Sequence, residues 1–339
     1  MTGFRVRQRA IGRTRRGSEL VSEFELDNGA VRVAVWEYGA TLVRVEVPDL
    51  DGGRHNLVVG LPTLADYETL DGRVYLGTTL GRFARVVGKG QLIIEERRHQ
   101  LRQNAGAHHI HGGPEGFDTR VWQGRAESGM TSSRVIFELT SPDGDQGYPG
   151  TLSATTTYEL DANNRLTVDF DATTDATTLC GLSTHTFWNL GDTDTIDDHE
   201  LGLRTTARLQ ADAEFVPTGI LLPVSGTAFD FSRSRVIGSA ALDAFLVLDG
   251  GESIAVLHDP VTLRSVVVGT DQTGLAVYTG DHLPNRPRAG LCLQPSAWPD
   301  APNQHGFPSA LLRPGENYHS RTTFDLLFDG LPDNEGNSR

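Results

Sequence analysis

Two histidines in this 339-residue chain lie in segments that suit acid–base chemistry. His111 begins the tripeptide His111-Gly112-Gly113, and His185 lies inside an apolar, aromatic segment that continues to Leu190. Imidazole exchanges protons near neutral pH, so two imidazoles on one cleft can form a general acid–base pair. Each histidine also has a simpler explanation, since His111 can be an ordinary turn residue and His185 a hydrogen-bonded core residue.

Four further residues are predicted to bind substrate. Asp243 stands among apolar residues, where a carboxylate needs a partner such as a ligand hydroxyl. Arg82 and Arg85 lie three positions apart and are either substrate-binding cations or paired surface charges. Gln294 follows an apolar run, and its amide can orient a hydroxyl through either its oxygen or its nitrogen.

The other histidines and the aromatic residues near these motifs are explained by ordinary structural roles. His108 and His109 are predicted to be solvated loop residues. His109 and His111 have His-x-His spacing, but no carboxylate-rich segment accompanies them, so no metal site is predicted. Trp188 and Trp298 can stack on a sugar ring, although aromatic residues in strands usually belong to the core.

Composition excludes several classes of partner. The formal charge of −14 argues against a nucleic-acid or anionic-membrane surface, and a neutral small molecule fits better. The two cysteines, Cys180 and Cys292, are predicted to be buried, reduced thiols. No apolar run has the length of a signal peptide core or a transmembrane helix, which predicts a cytoplasmic protein. The sequence does not define an oligomeric state.

The elements that must position these residues are mostly strands. Alternating apolar and polar residues between frequent turn residues, with 38 glycines and 16 prolines, predict an antiparallel all-β chain. Short helices are predicted at 64–70 and around 238–244, a loop at 104–116, and a turn at 217–219 and 223. The principal predicted strands are 23–27, 31–36, 41–47, 76–87, 92–96, 134–141, 151–160, 166–172, 179–190, 253–257, 264–269, 275–279, 290–293 and 318–328.

No repeat, linker or low-complexity tract divides the chain. We therefore expect one domain over 1–339, with a polar N-terminal extension at 1–20 and a polar tail at 330–339. The simplest fold is a large antiparallel β-sandwich with few short helices, since a propeller would show repeats of blade length.

Short motifs run in order along the chain: His111-Gly112-Gly113, Gly116-Phe117-Asp118, Trp122, Thr184-His185-Thr186-Phe187-Trp188-Asn189-Leu190, Pro217-Thr218-Gly219, Tyr278-Thr279-Gly280, Leu291-Cys292-Leu293 and Pro299-Asp300-Ala301-Pro302-Asn303. This ordered set resembles the motifs of the galactose mutarotase, or aldose 1-epimerase, family. The resemblance spans residues 24 to 328 and implies a galactose mutarotase-like supersandwich with a sugar cleft and no cofactor. It also implies that His185 protonates the ring oxygen, that His111 binds the sugar and assists, and that Asp243 binds hydroxyls.

The chain departs from the family pattern where a sugar would bind. The family's catalytic glutamate, which takes the proton of the anomeric hydroxyl, is replaced by Gln294, and its Asn-Arg pair by Arg85-Val86. Ala244, Ala276 and Ser296 replace other polar residues of the family.

A carboxamide is not a general base at neutral pH, and losing a positioned base costs about 10²- to 10⁴-fold in rate. We therefore expect weak mutarotation of ordinary galactose or glucose, with Arg85 contacting a substituent that these sugars lack.

Three functions remain open. The first is an isomerase that interconverts the anomers of a sugar or sugar-like hemiacetal, in which His111, His185 or Asp243 supplies the base. The second is an enzyme of specialised metabolism that performs another epimerisation, a cyclisation or an elimination. The third is a carbohydrate-binding protein without turnover. Each implies a small-molecule partner.

Overall fold

Strands dominate the computed structural model, which describes residues 4–49, 52–69, 73–248 and 252–328. The first twelve are β1 (Arg5–Arg13), β2 (Leu20–Asp27), β3 (Arg32–Trp36), β4 (Thr41–Pro48), β5 (Arg54–Asn56), β6 (Thr79–Leu80), β7 (Gln91–Ile94), β8 (Arg97–Gln100), β9 (Gln123–Ser128), β10 (Ser132–Ser141), β11 (Leu152–Asp161) and β12 (Arg165–Thr174). The others are β13 (Thr178–Leu179), β14 (Ser183–Thr184), β15 (Phe187–Trp188), β16 (Glu200–Leu203), β17 (Thr205–Ala211), β18 (Pro217–Pro223), β19 (Arg235–Val236), β20 (Asp243–Leu248), β21 (Ala255–His258), β22 (Ser265–Thr270), β23 (Gly274–Tyr278), β24 (Leu291–Pro295), β25 (Leu311–Leu312) and β26 (Tyr318–Leu327).

The helices are short. The α-helix α1 (Leu64–Tyr67) is a single turn, and 3₁₀ turns lie at Gly88–Gly90, Phe117–Thr119, Asp145–Gly147 and Ala301–Asn303. Among the residues described, no helix has the length and apolar character needed to cross a membrane.

Three antiparallel sheets form the body of the fold. A nine-stranded sheet has the order β19-β16-β21-β22-β26-β12-β11-β10-β9, a six-stranded sheet the order β15-β24-β23-β20-β17-β18, and a five-stranded sheet runs from β1 to β5 in sequence order. Three two-stranded ladders, β13-β25, β14-β6 and β7-β8, join or flank them.

The core lies between the nine-stranded sheet and the two smaller ones. Phe24 of β2 packs edge-on against Phe137 of β10, with ring centroids 5.8 Å apart. Trp188 of β15 packs against Phe324 of β26 at 4.9 Å. Strand β11 alternates buried and less buried residues along its length, as expected for a strand with one face in a core. The prediction of a large antiparallel β-sandwich is confirmed.

Two local predictions on the second half of the chain are wrong. No helix forms around 238–244, because β20 begins at Asp243 and pairs with β23. The segment with Pro217 and Pro223 is not a turn but β18, at the edge of the six-stranded sheet. Proline lacks an N–H donor, so it is tolerated at the ends of an edge strand and misleads a turn prediction.

Strand β1 lies inside the polar stretch at 1–20, where apolar alternation does not predict it. It pairs along its length with β2 and forms one edge of the five-stranded sheet. Its residues are mostly exposed, and four of its nine side chains are arginines. Charged residues protect a sheet edge from unwanted pairing. The same charged residues interrupt the apolar alternation by which a strand is predicted from sequence.

The long strands predicted at 76–87 and 179–190 are broken into two-residue pieces. β6 pairs with β14, and β15 pairs with β24. The segments 76–87 and 179–190 are also hydrogen-bonded to each other, since the backbone N–H of Gly181 donates to the carbonyl of Arg82. His185 therefore lies at a crossing of two segments rather than inside a regular strand.

The single-domain prediction over 1–339 stays a prediction. Its 330–339 tail lies outside the described residues.

Candidate active site

A cleft of about 570 Å³ opens over one face of the six-stranded sheet, a size typical of small-molecule sites. Alternate residues of a strand point to the same side, so β20, β23 and β24 present their side chains in rows. One row is Asp243, Tyr278 and Cys292, and the next is Phe245, Ala276 and Gln294. Five of the six predicted site residues line this cleft, namely His111, His185, Asp243, Gln294 and Arg85.

A glycine-rich turn holds His111. His111, Gly112 and Gly113 have φ values of 53°, 87° and 96°. A Cβ at Gly112 would lie 1.7 Å from the carbonyl oxygen of Gly81, so only glycine fits there. The turn places Nδ1 of His111 2.6 Å from the carbonyl oxygen of Ala84. Because a carbonyl only accepts, Nδ1 carries the proton and Nε2 is left as an acceptor for a ligand.

His185 is fixed by its backbone. Its N–H donates to the carbonyl of Thr78 at 3.0 Å, and its carbonyl accepts from Gly77 at 2.9 Å. Its ring centroid lies 5.2 Å from that of His111, and its Nδ1 lies 3.8 Å from Sγ of Cys292. The fold thus brings together two histidines that are 74 positions apart in the chain.

Both imidazoles are kept neutral. Burial, reinforced by the positive charge of Arg85, lowers the pKa of His185 to about 3. The pKa of His111 is lowered well below its ordinary value by burial and then by His185 and Arg85, while the hydrogen bond to Ala84 opposes this. At neutral pH both rings can accept a proton, and neither carries a positive charge.

Gln294 is fully buried at the floor of the cleft. Its Nε2 donates to the carbonyl oxygen of Ala84 at 3.3 Å, so that carbonyl accepts from both Gln294 and His111. Its Oε1 has no hydrogen-bond partner among the described residues. An amide does not titrate, but this oxygen can accept a hydrogen bond from a ligand hydroxyl.

Arg85 reaches into the cleft. Its Cζ lies 5.7 Å from the centroid of the Phe245 ring, and its buried Nε has no hydrogen-bond partner in the described part of the chain. Asp243 acts on Arg85 electrostatically but does not form an ion pair with it. Partial removal of its carboxylate from water raises the pKa of Asp243, and Asp281 adds to this effect, whereas Arg85 and His282 oppose it.

Arg82 does not reach the cleft, and its predicted role in substrate binding is not supported. The side chain is only 1% exposed. Its five N–H donors are taken by five protein acceptors: Oγ and O of Ser141, the carbonyls of Pro142 and Pro149, and Oγ1 of Thr178, at 2.8 to 3.3 Å. Arg82 is therefore a structural residue that joins distant segments.

His108 and His109 are buried, so the prediction of solvated loop histidines is wrong. Nδ1 and Nε2 of His109 lie 2.7 Å from the carbonyl oxygen of Arg102 and 2.6 Å from the hydroxyl of Tyr148. Nδ1 of His108 accepts from the backbone of Lys89 at 3.0 Å. The loop at 104–116 has no sequence period, yet it packs against neighbouring segments that supply the partners of these rings, namely Lys89, Arg102 and Tyr148.

Tyr75 is a cleft residue that the sequence motifs do not identify. Its ring centroid lies 4.8 Å from that of His111 and 6.0 Å from that of His185. Arg73 donates to its hydroxyl at 3.1 Å and pairs with Asp118 at 3.1 Å. The only signal in the sequence is an aromatic residue in a loop just before a short strand.

The tryptophans belong to the core. Trp188 packs against Phe324, as described above. Trp298 packs against Phe307 at 4.8 Å, and its Nε1 donates to the carbonyl of Thr273. Neither lines the cleft, so neither is placed to stack on a ligand there.

One group of side chains has the spacing of metal ligands. Asp49, His55 and Asp192 bring ligand atoms within 4.8 Å of one another, away from the residues that line the cleft. The guanidinium of Arg264 donates to both carboxylates at 2.9 Å. A fixed cation already occupies this position, so these residues do not fit a metal ion.

Sequence and structure comparisons identify relatives over most of the chain. The family described as aldose 1-epimerase matches residues 22–325. The human galactose mutarotase is 33% identical over 94% of this chain and 98% of its own length, and the aldose 1-epimerase of Escherichia coli (strain K12) is 30% identical over 89% and 93%. The crystal structure of galactose 1-epimerase from Lactobacillus acidophilus NCFM superimposes with a TM-score of 0.86 at 30% identity, covering 96% of this chain and 99% of that one. The chain therefore belongs to the aldose 1-epimerase family.

Proposed function

We propose that this isomerase interconverts the anomers of a sugar or sugar-like hemiacetal, with His111 and His185 transferring the protons. The observation that carries the proposal is the pair of imidazoles on one cleft, 5.2 Å apart, with Nδ1 of His111 engaged by Ala84. The oxygens of Gln294 and Asp243 would accept hydrogen bonds from the substrate hydroxyls.

Ring opening moves one proton from the anomeric hydroxyl to the ring oxygen, and ring closure returns it. Nε2 of His111, the nitrogen left free, would accept the proton of the anomeric hydroxyl. His185 would donate to the ring oxygen as the bond between C1 and that oxygen breaks and the C1 carbonyl forms. The pair then gains one proton and loses one, so the site has no net change of charge. Rotation about the C1–C2 bond and closure by the reverse steps give the other anomer.

Cys292 supports this division of roles. Burial raises the pKa of its thiol, so the sulfur keeps its proton at neutral pH. An S–H that points at Nδ1 of His185, 3.8 Å away, leaves the proton of the neutral ring on Nε2. His185 would then present a donor, whereas His111 presents an acceptor.

The rate is expected to be modest. A base is most effective when its pKa lies near the working pH, and burial lowers the pKa values of both histidines far below it. Gln294 provides no carboxylate to assist them.

The test is a measurement of anomer interconversion by polarimetry and by exchange NMR across several aldoses. We expect acceleration by the native protein and a loss of about 10²-fold or more in His185→Ala and in His111→Ala, since each removes a proton-transfer group. His305→Ala, at an exposed histidine away from the cleft, is the matched control. Absence of acceleration with every aldose would contradict the proposal.

A run in deuterated water separates this reaction from the alternatives that act at carbon. Mutarotation exchanges no carbon-bound hydrogen, whereas epimerisation or elimination through a carbanion does. Incorporation of deuterium at carbon would therefore favour a different reaction on this cleft.

One observation favours a second candidate, a carbohydrate-binding protein without turnover. Gln294 holds a non-titrating amide at the floor of the cleft, with Nε2 bonded to Ala84. Calorimetry that detects sugar binding, together with no change in the rate of anomer interconversion, would establish this candidate instead.

A further inference from the structure

A cationic side chain, Arg85, lines one wall of the cleft. The guanidinium of Arg85 lies over the face of Phe245, and its buried Nε has no hydrogen-bond partner among the described residues. Withdrawing a cation from water without an anion beside it is unfavourable. Such a side chain is expected where a ligand supplies the missing acceptor.

The neighbouring residues of the cleft do not supply an anion in contact with Arg85. Gln294 is neutral, and its Nε2 is turned towards Ala84. Asp243 affects Arg85 only through space, and it stands two residues from Phe245 along β20, a separation of about 7 Å in a strand.

A second arginine of the same cleft shows the contrast. Arg73 forms an ion pair with Asp118 at 3.1 Å and donates to the hydroxyl of Tyr75. Its charge and its donors are therefore used by the protein, whereas those of Arg85 remain available to a substrate.

We infer that Arg85 binds a carboxylate of the substrate, and that the preferred substrate is an aldose bearing a carboxylate, of the hexuronate type. The inference rests on the anomer interconversion proposed above and adds the substrate class. A guanidinium presents two parallel N–H donors that match the two oxygens of a carboxylate. A phosphate has a third oxygen and more charge than this one cation can balance.

The sheet face leaves room for such a group. Ala276 stands between Phe245 and Gln294 in one row across β20, β23 and β24, and it fills its place on the cleft wall with only a methyl group, beside the ring over which Arg85 lies. A substrate that lies along β20 can place its carboxylate at Arg85 and its hydroxyls at Asp243.

The charge of such a substrate would also act on the histidines. Arg85 lowers the pKa of both His111 and His185. A carboxylate paired with Arg85 would offset that effect and move both pKa values back towards their ordinary range, where imidazole is a better base. The substrate itself would then supply the negative charge that Gln294 lacks.

The experiment compares anomer interconversion of galacturonate and glucuronate with that of galactose and glucose, by exchange NMR at one ionic strength. We expect kcat/KM for the better uronate to exceed that for its neutral counterpart by at least about tenfold, the effect of one ionic contact. Arg85→Gln should bring this ratio down to about one, and Arg313→Gln, at an exposed arginine outside the cleft, should leave it unchanged. The methyl ester of galacturonate lacks the carboxylate charge. Comparing it with galacturonate on the native protein tests the same ionic contact, even if a variant fails to fold.

The outcomes separate the two proposals. Acceleration of the neutral aldoses that equals or exceeds that of the uronates, or a ratio that survives Arg85→Gln, would overturn the carboxylate and leave the proposed function standing. Faster turnover of galactose 6-phosphate or glucose 6-phosphate would replace the carboxylate by a phosphate and overturn it as well. No acceleration with any of these sugars would overturn the proposed function itself.

Discussion

Two clusters of the molecule use the same three residue types and differ in what their polar atoms contact. The framework cluster is Arg82, His109 and Tyr148, and the cleft cluster is Arg85, His111 and Tyr75. In the framework cluster, all five donors of the arginine and both ring nitrogens of the histidine contact protein atoms. In the cleft cluster, Nε of the arginine has no partner among the described residues, and only Nδ1 of the histidine is engaged by the protein.

The difference shows what separates a structural polar group from a functional one. A buried polar group that is fully hydrogen-bonded stabilises the fold, whereas one left without a partner lowers its stability. The framework cluster joins segments that are far apart in sequence, as Arg82 does for Ser141 and Thr178. The cleft cluster gives up stability to keep donors and acceptors available for a ligand.

The largest expected effect compares the two arginines directly. Arg82→Leu removes a buried guanidinium that bridges five protein acceptors, and we expect it to lower the free energy of unfolding by about 3 to 5 kcal/mol. Arg85→Leu removes an unpartnered cation and is expected to change it by no more than about 1 kcal/mol, or to raise it. Urea unfolding of both variants measures this, and equal destabilisation would show that Arg85 is a structural residue too.

The next effect sharpens the comparison by placing an anion beside the cleft cluster. Gln294→Glu places a titratable carboxylate beside His111 and His185, and we expect the rate of anomer interconversion of galactose to rise about 10²-fold, or about 2.7 kcal/mol. Gln123→Glu, at an exposed position of β9, is the matched control. An unchanged rate in Gln294→Glu would mean that the cleft lacks more than a base, and exchange NMR on the three proteins decides it.

The sequence predicts the residues that line the cleft better than it predicts the framework cluster, although it misses Tyr75. His111, His185, Asp243 and Gln294 lie in short motifs, and the cleft contains all four. Their distances could not be predicted, because they depend on how the segments at β6, β14 and β24 cross. Arg82 and Arg85 lie in the same short segment, so the sequence assigns both to the cleft, and only the fold shows that Arg82 does not line it.

The sequence also predicts some strands better than others. Alternation of apolar and polar residues reveals those with one buried face, such as β11. It fails for β1, whose side chains are polar because the strand forms an edge. It also fails around His185, where two segments bond to each other through two-residue ladders rather than long strands.

A smaller effect concerns the histidine of the framework cluster, through the pH dependence of stability. Burial lowers the pKa of His109 to about 4, against 6.5 for the unperturbed group. Between pH 6.5 and about pH 4, His109 is protonated in the unfolded chain but neutral in the folded protein. The free energy of unfolding therefore falls as the pH is lowered through this window. His109→Gln should flatten the slope by up to about 1.4 kcal/mol per pH unit, the value for one proton.

Urea unfolding at several pH values between 7 and 4.5 measures that slope. His305→Gln, at an exposed histidine, should keep the native slope. His185 contributes in the same direction, since its pKa is lowered to about 3, so some slope should remain in His109→Gln. An identical slope in both variants would show that His109 takes up its proton in the folded protein as readily as in the unfolded chain.

The smallest effect compares the two tyrosines. Tyr148→Phe removes the hydroxyl 2.6 Å from Nε2 of His109, and we expect a loss of about 1 kcal/mol in the free energy of unfolding, the net value of one buried hydrogen bond. Tyr75→Phe keeps the ring beside His111 and removes only the hydroxyl to which Arg73 donates. Because Arg73 retains Asp118 as a partner, we expect unfolding to change by less than about 0.5 kcal/mol. If Tyr75→Phe destabilised the protein as much as Tyr148→Phe, the hydroxyl of Tyr75 would belong to the framework, and the boundary between the two clusters would have to be redrawn inside the cleft.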